Sequence, residues 1–481
     1  MLQLAGIFSV LRRVLSLGSL PNGRGALLAL ILALVPLALL RGFMVDDALV
    51  TARVAHHIAT GVGYRFNSDG PVVDAVTPLG WAYVLAAFAG SSVWRAFVAA
   101  KWIGAASYAL AVMLLGRWIS ARAGSAWRFA PLLLLLCSAS LAAWAVSGME
   151  TGFITLLCTL SLARGRAGAL AAGSAAALRP ELMPWAMVLA FGSAVARHER
   201  ARGLGLALAL ALAPPLAVAL VRQGLFGEPA PLAVWAKPSD LEHGLVYAVG
   251  AAFGTGALPM LAALGGYRSL DAHARAVALA VLVHFGALVL SGGDWMALYR
   301  LATPLLPLVI FVCAGLAARA PVWATVSRVG SACALSVVVF ATTGVRAMKV
   351  GDHRAALIES ARQPLAGARH VAALDIGWVG AATDATIVDL AGITDPVIAR
   401  LPGGHTSKRI PAELLVQRRT DTWVLLLGKG ETLRSPWWST HFDRAVERRV
   451  AVLARDIDVK SVALLPLGGT NQRYAVIRAR Y

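Results

Sequence analysis

The run Ala26-Leu27-Leu28-Ala29-Leu30-Ile31-Leu32-Ala33-Leu34-Val35-Pro36-Leu37-Ala38-Leu39-Leu40, followed a few residues later by Asp46-Asp47, decides the fold class. A helix that crosses the hydrocarbon core of a bilayer needs about 20 mostly apolar residues, because no backbone group can be left unpaired against lipid. With its flanks this run supplies a first span over 25–42. Arg12 and Arg13 precede it, as they would in a cleaved leader. The run passes straight into the acidic segment with no small-residue cleavage site, so it reads as a retained span.

The rest of the chain repeats the pattern. Of 481 residues 58% are hydrophobic and only 14% charged, and the mean hydropathy of +0.70 lies outside the range of soluble globular chains. Apolar runs predict ten further spans, over 97–116, 129–147, 151–163, 167–178, 182–196, 203–221, 244–264, 276–291, 299–317 and 329–345. The fold class expected is therefore a mainly α polytopic membrane protein of about 11 transmembrane helices with a C-terminal α/β domain.

The net charge of +19 does not point to nucleic acid, because Lys and Arg fall in short clusters between apolar runs. With the N-terminus inside, 15 basic residues before residue 346 lie at cytoplasmic joints and nine on the other side. This agrees with the positive-inside rule. Acidic residues contribute little to orientation, yet ten of the 12 in this part would face outward. Chemistry on the outer face would account for that bias. Cys137, Cys158, Cys313 and Cys333 all lie in apolar runs without metal or redox spacing, so neither a disulfide nor a structural metal is expected.

Two domains are expected, 1–345 as the membrane domain and 346–481 as a soluble domain on the outer side. The first outer loop, about 43–96, is broken by Gly61, Gly63, Gly70 and Pro71. Its apolar half, Thr77 to Phe88, reads as an interfacial helix, because a further span would put Arg117, Arg122 and Arg128 outside. From 346 charges become frequent and apolar runs shorten to strand length: Val371–Ile376, Thr386–Leu390, Thr422–Leu427, Val462–Leu465 and Tyr474–Arg478. Helices over Ile410–Arg418 and Phe442–Arg455 lie between them.

Candidate chemistry begins at Asp46-Asp47, just beyond the first span. Helical neighbours are about 100° apart, so only one of the two carboxylates can enter a given pocket. Arg53, seven residues after Asp46, returns to the same face. An equally good local reading makes Asp46 an N-cap and Asp47 a first-turn acid favoured by the helix dipole. Further outward polar groups stand at span ends: Glu150, Arg179 with Glu181, Lys237, Asp294 and Arg300. Ionisable groups at membrane depth are costly unless they pair or line a cavity. Cations there would hold a phosphate while an acid activates a hydroxyl.

Several short strings resemble one family when taken in order: Asp46-Asp47-Ala48, Gly61 to Asn67, Thr77-Pro78-Leu79-Gly80-Trp81, Gly148-Met149-Glu150, Arg179-Pro180-Glu181, Gly292-Gly293-Asp294-Trp295-Met296 with Tyr299-Arg300, Asp375-Ile376-Gly377, and Asp389 to Pro396. They are similar to the terminal arabinofuranosyltransferases, GT-C membrane glycosyltransferases whose family also contains proteins assigned to flagellar motor control. The sequence departs from the pattern at Leu49, where an aromatic is common, and at Thr77-Pro78, where an Asn usually intervenes.

The resemblance implies a multi-pass protein of the cytoplasmic membrane whose active site and C-terminal domain face the periplasmic side. It implies a polyprenyl-phosphate sugar donor, decaprenylphosphoryl arabinose, and a glycan or glycoconjugate acceptor. Asp46 or Asp47 would be the base, and Arg300, Lys237 and Arg179 would bind the donor phosphate. Arg53, Glu150, Glu181 and Asp294 would contact substrate. Transfer would invert the anomeric centre in one displacement and require no cofactor, with a divalent cation on Asp46, Asp47 and Asp294 left open. Two rivals stand beside it, a non-enzymatic assembly or motor-control factor and a secondary transporter. No paired repeat of broken helices supports the transporter.

Overall fold

A computed structural model describes residues 22–122, 124–262 and 264–479. Arg12 and Arg13 lie outside these residues. The chain divides into two compact units, and the division does not follow the order of the sequence. The first contains the described part of 1–41 with 101–217 and 239–348; the second contains 42–100, 218–238 and 349–481. The first loop and the C-terminal domain, far apart in sequence, thus belong to one unit.

In the first unit each predicted apolar run is helical. Four helices among the described residues are long and apolar enough to cross a membrane: Val93–Ser120, Ala201–Phe226, Ala272–Leu290 and Val322–Leu365. A fifth crossing arises if Ala126–Cys137 and Ala139–Ala145, bent by 60°, count as one. The others are shorter; Thr151–Leu160, for example, has 10 residues. At 1.5 Å per residue such a helix reaches about half of a 30 Å hydrocarbon layer.

Lipid is as apolar as leucine, so helices in this unit gain little from merely hiding side chains from one another and depend on close contact. Glycines provide it. A methyl at Gly152 would collide with the Gly104 carbonyl, one at Gly116 with the Gly25 carbonyl, and one at Gly173 with the Ala211 carbonyl. Around these contacts a core forms in which Trp185, Leu115, Ile310 and Cys158 are fully buried. All four cysteines are free.

The second unit is built on a five-stranded mixed sheet of strands β1 (His370–Ala373), β2 (Thr386–Asp389), β3 (Thr422–Leu426), β4 (Val459–Pro466) and β5 (Arg473–Ala479). Their order is β2-β1-β3-β5-β4, with β1 parallel to β2 and β3, and β5 antiparallel to β3 and β4. All five strands fall where the apolar runs place them. The helices between them are shorter than expected, Ala412–Gln417 and Ala445–Leu453. Trp423, Leu425, Phe442 and Ile477 fill the core.

The first loop contains two helices that pack on each other, and the first of them packs on the helix Ile376–Ala382 beside the sheet. Asp46–Ala59 is the first, and Leu79–Ala89, where an interfacial helix was expected, is the second at 11 residues. The edge strand β2 would otherwise present unpaired backbone groups. Asn67 covers it in the manner of a strand: its amide donates to the Ile387 carbonyl at 2.9 Å and its oxygen accepts the Ile387 N–H at 2.9 Å. The Thr386 hydroxyl donates to both oxygens of Asp69 at 2.9 Å.

Because the glycine contacts are backbone against backbone, they leave no room for relaxation. Gly152→Val should lower the melting temperature of the detergent-solubilised protein, with an overpacking cost of about 1–3 kcal/mol. The same change at Gly286, which no neighbour approaches, should be close to neutral.

Candidate functional site

The predicted site residues fall in both units. Asp46, Asp47, Arg53 and Lys237 belong to the second; Glu150, Arg179, Glu181, Asp294 and Arg300 belong to the first.

In the second unit the N-cap of Asp46–Ala59 is Val45, without a side-chain cap, so Asp46 is not the N-cap and both acids occupy the first turn. The Asp46 carboxylate instead reaches another helix. It accepts the Gly377 N–H at 2.7 Å on one oxygen and the Trp378 N–H at 2.8 Å on the other. These N–H groups open the helix Ile376–Ala382, and the first N–H groups of a helix have no partner within it. Asp375 itself makes no cap bond.

Arg53 works at the other end of that helix. Its guanidinium donates to the carbonyls of Gly380, Thr383 (2.9 Å) and Ala385 (3.3 Å), and to Phe66 of its own loop (2.9 Å). Four carbonyls thus engage all three nitrogens of Arg53, which was expected at the substrate. The helices Asp46–Ala59 and Ile376–Ala382 lie side by side in the same direction, an acid at the start of the shorter one and a cation at its end. That is the arrangement the helix dipole favours.

Behind Asp46 lies a polar cluster that the sequence reading did not select. Asp375 accepts the Tyr474 hydroxyl at 2.5 Å and the Arg444 guanidinium at 2.9 Å, and Arg444 also bonds Glu447. Burial opposes ionisation of Asp375, but the Arg444 and Arg354 charges and the Tyr474 hydroxyl outweigh it and hold the carboxyl below its usual range. Asp46 shifts the other way. Burial pushes it up to about 6, against the Arg354 charge and the two N–H bonds, with Asp375 adding to the rise. The string Asp375-Ile376-Gly377 was the available signal: Gly377 is the residue whose added methyl would meet Asp46.

Other polar groups of this unit are engaged within it. Asp389, fully buried, accepts the Ala391 and Thr394 N–H groups, and Asp395 caps the helix Pro396–Ala399. In the polar loop Gly403 to Lys408, Lys408 is buried and donates to the Ala399 and Leu401 carbonyls at 2.6 and 3.0 Å. Lys237 follows the helix Leu232–Ala236 and is half-buried.

The first unit holds the remaining groups as two buried ion pairs. Arg179 meets one oxygen of the fully buried Glu150 at 2.5–2.6 Å, and Arg300 meets Asp294 at 2.8 Å. Arg179, Glu181 and Arg300 line one small cavity together with Thr151. Arg300 follows two residues, Leu298 and Tyr299, with φ of 61° and 53°. Side chains other than glycine rarely adopt this left-handed conformation, which persists only where the surroundings hold it.

Here the surroundings do hold it. The Trp144 indole donates to the Leu298 carbonyl at 2.9 Å, and the Thr303 hydroxyl to the Tyr299 carbonyl at 2.9 Å. The Tyr247 hydroxyl accepts the Leu301 N–H at 3.0 Å, and His284 lies 2.9 Å from the Leu301 carbonyl. Strain of this kind is found at functional sites. Among the described residues no three His, Cys, Asp or Glu side chains are grouped to hold a metal ion.

Residues 348–476 match a family model described as a domain of unknown function, DUF8728. No curated protein and no solved structure matches the chain.

Removing one partner of a buried pair leaves an uncompensated charge, typically at a cost of about 3–5 kcal/mol. Glu150→Ala should therefore destabilise the protein in thermal melts far more than Glu181→Ala, whose carboxylate is only half-buried. Asp46 has a pH signature of its own. Its carboxyl is raised from 3.8 to about 6 in the folded chain, so its contribution to stability is complete below pH 3.8 and lost as pH rises through about 6. The difference in melting temperature between wild type and Asp46→Asn should shrink between pH 4 and pH 7.

Proposed function

We propose that the protein is a GT-C-like membrane glycosyltransferase of about 11 transmembrane helices. It transfers arabinofuranose from a polyprenyl-phosphate donor to a glycan or glycoconjugate on the periplasmic side of the cytoplasmic membrane. The observation that carries this reading is the Arg300 loop. Two consecutive left-handed residues, pinned by Trp144, Tyr247, His284 and Thr303, aim a buried guanidinium at a cavity that Arg179 and Glu181 also line. A protein that only needed an inert turn there would have no reason to maintain such strain.

In the reaction, one carboxylate of Asp46-Asp47 accepts the proton of the acceptor hydroxyl as its oxygen attacks the anomeric carbon. The bond from that carbon to the phosphate oxygen breaks, and the electron pair leaves with the lipid phosphate, inverting the centre. The leaving phosphate is a stabilised anion and needs no protonation. The family resemblance assigns Arg300, Lys237 and Arg179 to balance its charge, the kind of fixed electrostatic support that is most effective where water is excluded. The scheme uses no metal ion.

The test is direct. Purified protein incubated with a panel of polyprenyl-phosphate sugars should release the lipid phosphate and transfer sugar from the arabinofuranosyl member. The double variant Asp46→Asn/Asp47→Asn should lose about 10²–10⁴-fold in turnover. Normal transfer by that folded variant, or no turnover of any member by wild type, would overturn the assignment.

A further inference from the structure

The helix Leu79–Ala89 of the first loop contains no charged side chain. A helix that is apolar on every side belongs in a protein core or in lipid, yet only part of this one is covered. Leu79, Ala82, Leu85 and Ala89 are buried within the second unit, while Tyr83, Val84 and Phe88 are 48%, 46% and 55% exposed. At about 100° per residue those three fall within one sector of about 140°. The helix has 11 residues, about 16 Å at 1.5 Å each, and is too short to cross a bilayer.

Contacts within the same unit show where this face sits. The last turns of Ala201–Phe226, a helix long and apolar enough to cross a membrane, belong to the second unit and reach the first loop. Arg222 is 2% exposed; its Nε donates to the Asp74 carboxylate at 2.8 Å, and a terminal nitrogen donates to the carbonyl of Thr77, two residues before Leu79. The Tyr64 ring centroid lies 5.6 Å from those of both Phe226 and Tyr83. Leu220, Val221 and Leu225, on the same turns as Arg222, are exposed. At the other end only Gly90, Ser91 and Ser92 separate Ala89 from Val93–Ser120, a second helix of crossing length.

We propose that Tyr83, Val84 and Phe88 form a lipid-docking face, seated at the boundary of headgroups and acyl chains, and that Arg222 and Tyr64 fasten it to the end of Ala201–Phe226. An interfacial helix was expected here from topology alone, with no side assigned to lipid and nothing to fasten it. The occupant is lipid because the face is tied at one end to a helix of crossing length and runs at the other into a second one. Tyrosine suits the place, having an apolar ring and a polar tip. A consequence rests on the glycosyltransferase reading. The helix Asp46–Ala59 packs against Leu79–Ala89, so the turn bearing Asp46 and Asp47 is carried by an element resting on the membrane surface, where the phosphate of a lipid-linked donor lies.

Full-length protein would be reconstituted in phosphatidylcholine vesicles containing a phosphatidylcholine with a diazirine in its acyl chain, irradiated, and mapped by peptide mass spectrometry. Lipid adducts should form on 79–89 as well as on 218–226, and not at Val397, which is exposed on the C-terminal domain. In Val84→Asp/Phe88→Asp, adducts on 79–89 should fall about tenfold, because carboxylates are costly in the apolar boundary, while those on 218–226 stay. Both changes are on an exposed face, so the melting temperature in detergent should stay at the wild-type value. That variant should turn over the polyprenyl-phosphoryl donor more slowly in vesicles and a short-chain, water-soluble analogue at the wild-type rate. Arg222→Met should reduce adducts on 79–89 and leave those on 218–226.

Adducts on 218–226 without any on 79–89, or equal labelling of wild type and Val84→Asp/Phe88→Asp, would overturn the lipid face. Unchanged labelling of folded Arg222→Met, or of Asp74→Leu/Arg222→Met should the single change not fold, would overturn the fastening. Equal slowing with both donors would overturn the link to donor depth. Should wild type transfer no sugar, only that link falls, and labelling still decides the lipid face.

Discussion

Two hydrogen bonds from the N–H groups of Gly377 and Trp378 to the carboxylate of Asp46 hold the second unit in its form. A helix of seven residues is too short to be stable by itself in water, since nucleation fixes several residues before the first bond repays them. Its opening N–H groups lack internal partners, and burying them unpaired would carry the desolvation penalty of each. Asp46 removes that penalty, and Arg53 removes the corresponding one for carbonyls at the other end. The helix follows β1 and leads into β2, so the parallel part of the sheet relies on a loop more than 300 residues earlier in the chain. Residues 348–476, which a family model matches, are accordingly not the whole of the unit that folds around them.

The first unit solves a different problem. Charged groups within an apolar helical assembly are tolerated when paired, and Glu150 with Arg179 and Asp294 with Arg300 meet that condition. Pairing alone would be satisfied by many geometries. The Arg300 loop adds a specific one, because its backbone is held in an unfavourable conformation by four side chains from outside the loop's own strained pair. Such over-determination fixes a guanidinium to a position, which is the property an electrostatic role requires.

Much of this was legible from the sequence. Strand positions in the C-terminal domain were readable because short apolar runs bounded by polar turns have few other solutions. Helices in the first unit were readable for the same reason, and among the described residues four, or five with the bent pair, are long and apolar enough to cross a membrane. An apolar run reports that a helix will be buried somewhere, and length decides whether lipid or protein surrounds it. Asp46 and Arg53 were readable as sharing a face from their spacing of seven, but the sequence could not say what that face meets. The carbonyls of Gly380, Thr383 and Ala385 that Arg53 meets were decided by the segment packed against its helix.

The sequence by itself determined the chemical inventory and its periodicity: a largely apolar chain rich in helix-length runs, a charged C-terminal region of strand-length runs, and two carboxylates following the first run. Those are local properties, set by composition and by the 3.6- and 2-residue repeats of backbone geometry. Only the tertiary structure decided that residues 42–100 and 349–481 form one unit, that Asp46 spends its oxygens on Gly377 and Trp378, and that Arg300 stands behind two left-handed residues. Each of these depends on which distant groups come within hydrogen-bonding distance. Distances between residues hundreds of positions apart are fixed by packing, which no local pattern encodes.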